Sequence, residues 1–76
     1  MPTLTVRFVG PVRRPGPERE LQLVPPATTG DLLTGLHYTP AEQRTLQVLA
    51  DGRRARLEDG LAGVQLVEIL IPIGGG

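Results

Sequence analysis

Gly74, Gly75 and Gly76 close the sequence as three consecutive glycines. They bring no side chain to a core and lose the most backbone entropy on ordering, so they do not stabilise a fold. What they do well is thread: bare backbone enters a narrow channel extended, each residue advancing at most ~3.6 Å. A carboxylate on Gly76 would be unhindered as a nucleophile toward an activated phosphate. A linker would continue in Gly and Ser; a cloning remnant is the plain alternative. Elsewhere the chemistry is sparse. His37 is the only histidine and there is no cysteine, which closes thiolate metal sites, disulfides and cysteine nucleophiles and leaves too little for a triad. Every positive side chain is Arg and none is Lys, so lysine Schiff-base chemistry is closed as well. Glu58 and Asp59 are adjacent and point apart, a poor acid/base pair. Asp51-Gly52 reads as a turn, His37 as structural or simply exposed, and the arginines Arg13, Arg14, Arg53, Arg54 and Arg56 as solvated faces or a docking surface for an acidic partner. The stretch from Gly10 to Gly16 lacks the Gly-Lys-Ser/Thr of a phosphate loop.

Composition narrows the partners. A 76-residue chain with 39% hydrophobic and 21% charged residues is one small globular domain. With 3% aromatic residues and zero net charge, neither a base-stacking platform nor a basic duplex-binding face is expected. No apolar run approaches the ~20 residues of a membrane span, and Met1-Pro2-Thr3-Leu4-Thr5-Val6-Arg7 has no basic-then-apolar leader pattern. The expectation is a cytoplasmic protein with no nucleic acid, membrane, metal or bound cofactor.

The elements follow from periodicity. Leu4, Val6 and Phe8 alternate with polar residues as in a half-buried strand over 3–9, and Leu21 and Leu23 repeat the pattern after a Pro/Gly loop. Together they read as an opening antiparallel hairpin that Pro25-Pro26 stops. Thr28 caps a helix with Asp31 three residues on, and Leu32, Leu33 and Leu36 share its apolar face. Thr39, Pro40 and Glu42 start a second helix of about one turn. A third strand is expected over 45–49, an Asp51-Gly52 hairpin turn, a return strand over 54–57, Leu61 as a plug, and a final strand over 64–71 with Val67, Ile69 and Ile71 on the core face. The predicted class is α+β: a mixed sheet with one main helix on one face, the first and last strands parallel neighbours. The domain is expected to span 1–73 and a flexible glycine tail 74–76.

Four segments carry a resemblance: Leu4-Thr5-Val6-Arg7-Phe8-Val9-Gly10-Pro11-Val12-Arg13, Ala27-Thr28-Thr29-Gly30-Asp31-Leu32-Leu33, Leu49-Ala50-Asp51-Gly52-Arg53 and Val67-Glu68-Ile69-Leu70-Ile71-Pro72-Ile73-Gly74-Gly75-Gly76. In this order they resemble the β-grasp, ubiquitin-like sulfur carriers, a family that includes the small subunit of molybdopterin synthase and the thiamine-pathway carrier. The resemblance implies a carrier rather than an enzyme. A ubiquitin-activating-like enzyme would use ATP to adenylate Gly76, and a persulfide from a cysteine desulfurase or rhodanese would convert it to a thiocarboxylate. An acceptor such as a synthase large subunit would then take the sulfur. Gly74 and Gly75 would thread the tail, and Leu66, Leu70 and Ile73 would dock the partner. Pro72-Ile73-Gly74-Gly75-Gly76 and Gly10-Pro11-Val12-Arg13 look like the molybdopterin branch, with thiamine next. Carriers for tRNA thiolation or cysteine synthesis share the same tail. A modifier conjugated to proteins through Gly76, and a non-catalytic interaction domain, remain open alternatives.

Overall fold

The computed structural model describes residues 2–72, so Ile73, Gly74, Gly75 and Gly76, and with them the tail expectation, lie outside the described residues. Five strands form one mixed sheet in the order β2-β1-β5-β3-β4: β1 Leu4–Phe8, β2 Glu20–Leu23, β3 Gln47–Ala50, β4 Arg53–Ala55 and β5 Leu66–Leu70. Two helices, α1 Thr29–Gly35 and α2 Pro40–Thr45, fall between β2 and β3. β1 and β5 run parallel with Thr5 beside Leu66 and Phe8 beside Ile69, and the other neighbours are antiparallel. The chain is therefore α+β, with its first and last strands adjacent at the middle of the sheet as the alternation implied.

One sheet face is the core. Leu4, Val6, Phe8, Val48, Val67 and Ile69 meet Leu32, Leu33 and Leu36 of the α1 segment, and Leu61 plugs the end at 1% exposure. α1 starts on Thr28, whose hydroxyl accepts the Asp31 N–H at 3.1 Å. The loop at 57–61 clamps this start: Gly30 N–H bonds the Leu57 carbonyl, Thr29 N–H the Asp59 carbonyl and Leu61 N–H the Ala27 carbonyl. A Cβ on Gly30 would sit 3.2 Å from that Leu57 carbonyl oxygen, a tight contact that glycine avoids. α2 buries no residue but has a full capping box between Thr39 and Glu42 with Pro40 behind it.

Four expectations need correction. Thr45 belongs to α2 and β3 runs Gln47–Ala50, because the Thr45 hydroxyl and the Leu46 N–H both donate back to the Glu42 carbonyl and close the last helical turn. The return strand is Arg53–Ala55 rather than 54–57, its extension ended where the Asp59 carboxylate takes the Arg56 N–H at 2.9 Å. Ile71 is not core: it lies past the end of β5 and is 44% exposed. Val12, inside the Pro/Gly loop read as irregular, is buried.

Candidate functional site

The strand that leads to the glycines is β5, hydrogen-bonded on both sides by β1 and β3. Its burial alternates, with Val67 and Ile69 in the core and Leu66, Glu68 and Leu70 half-buried on the opposite face. Among the described residues α1 packs on the core face, where Leu32 and Leu33 join the core cluster, and α2 buries no residue. Register builds the face row by row. One row crosses all five strands as Glu20, Arg7, Glu68, Leu49 and Arg54. Within it Arg7 holds Glu20 at 2.8 Å and reaches Glu68 at 3.8 Å. Leu70 pairs with Gln47 on one side of this row, and Leu66 with Thr5 on the other.

Leu66 and Leu70 are thus on one face, as the sequence suggested, but Glu68 stands between them. Leu49, beside Glu68, is diagonal to both and makes the apolar surface continuous. Sequence reasoning missed Leu49. Its signal was the parity with Val48: if Val48 enters the core, Leu49 faces the other way. Val9, exposed, extends the surface toward the tail end of β5, where its N–H bonds the Ile69 carbonyl. The result is an apolar strip of Leu66, Leu49, Leu70 and Val9 crossed by one charged ladder. Ile73, expected to join it, is outside the described residues.

A second constellation is electrostatic. Arg13 donates from Nε and Nη2 to the two Glu42 carboxylate oxygens at 3.0 and 2.8 Å, and from Nη2 to the His37 carbonyl at 2.9 Å. Its guanidinium lies 4.9 Å over the Tyr38 ring, whose hydroxyl donates to the Arg13 carbonyl. The Arg13 bonds, reinforced by the Thr39 N–H, hold the Glu42 carboxyl down at about 2. Burial raises the Tyr38 phenol, and the bond to Glu42 raises the Arg13 guanidinium. The bidentate pair and the stacked ring are geometrically specific. They fasten the β1–β2 loop to the α1–α2 junction, so Arg13 is not the solvated loop charge its sequence context implied. His37 has a backbone role: at φ 68° it takes the left-handed position after α1, while the Tyr38 N–H reaches back to the Leu33 carbonyl.

Asp51 is also more than a turn residue. At φ 49° it opens the hairpin turn completed by Gly52 at φ 83°. Its carboxylate accepts the Gln65 and Leu66 N–H groups at 3.1 and 3.0 Å, joining the β3–β4 hairpin to the start of β5. Among the described residues no group of three His, Asp or Glu side chains is placed to hold a metal ion. No helix among them is long and apolar enough to cross a membrane. No family model, curated protein or solved structure matches this chain.

Proposed function

We propose that this domain is a β-grasp sulfur carrier whose Gly76 carboxylate is adenylated and then converted to a thiocarboxylate, serving molybdopterin synthesis in preference to thiamine synthesis. The observation that carries the reading is the position of the three glycines. They follow a strand locked between two neighbours, with only Ile71, Pro72 and Ile73 between that strand and Gly74. A rigid base under a side-chain-free segment is what delivery of a backbone carboxylate into a partner's nucleotide site requires.

In this reading the Gly76 carboxylate attacks the α-phosphate of ATP held by the partner, and pyrophosphate leaves. A persulfide sulfur then attacks the acyl carbon and expels AMP. A partner thiol cleaves the resulting sulfur–sulfur bond and leaves the thiocarboxylate. The protein supplies the carboxylate, the reach and the docking face, and its lack of cysteine leaves no side-chain thiol to intercept the activated carbon. Leu66, Leu49 and Leu70 offer the activating enzyme an apolar contact, and Arg7, Glu20 and Glu68 fix its register.

Pyrophosphate exchange with such an adenylating enzyme tests this. Deleting Gly76 should withdraw the carboxylate by ~3.5 Å and lower exchange more than ~100-fold, with the melting temperature unchanged. Leu70→Asp should raise KM for the carrier about tenfold or more, because a desolvated apolar contact is lost. Full exchange by the Gly76 deletion would refute the reading; full exchange by folded Leu70→Asp would refute the docking face.

A further inference from the structure

Two Asp-Gly steps are exposed, Asp51-Gly52 and Asp59-Gly60. Each can react within itself. The Gly nitrogen bonds to the Asp side-chain carboxyl carbon, and one carboxyl oxygen leaves as water with the amide proton and the carboxyl's own. Water then opens the five-membered succinimide. It either restores aspartate or leaves isoaspartate, whose main chain runs through the former side-chain methylene. One water is lost and one gained, with no oxidant or co-reactant. Glycine favours ring closure because no Cβ shields its nitrogen. In sequence the two steps are equivalent; the fold separates them.

Ring closure requires the Asp-Gly peptide to turn until its nitrogen faces the carboxyl carbon. At Asp59 that peptide is fastened. Its carbonyl accepts the Thr29 N–H at 2.9 Å and the Thr29 hydroxyl at 3.3 Å, and Thr29 is fully buried. Gly60 forms an isolated bridge with Thr28, and the Leu61 N–H bonds the Ala27 carbonyl. Turning this peptide would break the clamp on the start of α1. At Asp51 no turn or loop bond among the described residues ties the carbonyl or the Gly52 N–H. Space around Gly52 is open, with no atom within 4 Å of where a Cβ would stand. The restraint there is the side chain, whose carboxylate accepts the Gln65 and Leu66 N–H groups at 3.1 and 3.0 Å.

We infer that Asp51-Gly52 is a self-modification site. It isomerises through a succinimide when the Asp51 carboxylate slips its hold on β5, while the α1 clamp protects Asp59-Gly60. Isomerisation lengthens the main chain of the turn by one methylene and leaves the carboxylate directly on Cα. The two-residue turn geometry is lost, and the shortened carboxylate no longer spans to Gln65 and Leu66. The product therefore keeps the β3–β4 hairpin detached from the start of β5. This chemistry needs neither an activating enzyme nor Gly76, so it stands apart from the carrier reading.

The test incubates the whole chain in heavy-oxygen water, where ring opening installs one heavy oxygen. Digestion after Arg in ordinary water then places Asp51 in peptide 45–53 and Asp59 in peptide 57–76, read separately by mass. In unfolding urea both should label at comparable rates. In the folded chain Asp51 should label about tenfold or more slower than in urea, and Asp59 about tenfold or more slower again. Gln65→Pro removes one N–H donor and should speed folded Asp51 labelling about threefold or more. If that variant does not fold, urea below the wild-type transition should speed Asp51 labelling and leave Asp59 unlabelled. In the isolated isoaspartyl chain the Gln65 and Leu66 amides should exchange with solvent faster than in the aspartyl chain. Folded Asp59 labelling as fast as Asp51 would overturn the assignment. So would folded Asp51 labelling at the urea rate or not at all, absence of label in urea, or unchanged exchange at Gln65 and Leu66.

Discussion

Glu42 shows how one carboxylate can join two distant parts of so small a chain. Held at about 2 by Arg13 and Thr39 against an ordinary 4.5, it is deprotonated more readily folded than unfolded. Its contribution is therefore present above the ordinary value and is lost as pH falls from about 4.5 toward 2. Urea midpoints of the wild type should drop across that interval more steeply than those of Glu42→Gln; parallel declines would show that the pair contributes no pH-dependent stability. Asp51 gives a second residue-scale case. Asp51→Ala loses the bonds to Gln65 and Leu66 and puts alanine at a left-handed φ, so about 1–3 kcal/mol of destabilisation is expected in urea unfolding, and an unchanged midpoint would contradict this. The local half of both roles was legible: Thr39, Pro40 and Glu42 spell a helix start, and Asp51-Gly52 a turn. The other half was not, because Arg13 and Glu42 are 29 residues apart and no spacing rule links a loop arginine to a particular helix.

At the scale of elements, periodicity carried furthest where burial is one-sided. β1, β5 and the α1 face were readable because alternate or helically spaced residues are either core or solvent. Leu33, with no exposed surface, sits at the centre of the α1 contribution. Leu33→Ala should cost about 2–4 kcal/mol through lost burial and the cavity left behind. A near-wild-type urea midpoint would contradict the packing described. Boundaries failed at element ends, where the sequence pattern continues past the last paired residue. Asp59 ends the pairing of β4, and Ile71 keeps the alternation of β5 but runs past the elements that would cover it. Val12 was hidden because Gly and Pro around it signal irregular backbone, and irregular backbone can still deliver one side chain to a core.

At the scale of the whole molecule, the two sheet faces divide the work. One is filled by α1 and Leu61; the other presents Leu66, Leu49, Leu70 and Val9 around the Arg7 charge ladder. The pairing of first and last strands was legible from their patterns, whereas the continuity of the open face was not, since Leu49 joins it only through cross-strand register. The proposed carrier role unites that face with Gly76, and the intact mass of the protein isolated from its own cells tests the union most directly. A thiocarboxylate at Gly76 replaces one oxygen by sulfur and adds about 16 Da, localised to the terminal peptide and absent when Gly76 is deleted. That shift is the expected result. An unmodified Gly76 in cells actively making the cofactor, an isopeptide adduct as the only modification, or a chain continuing beyond Gly76 would contradict it.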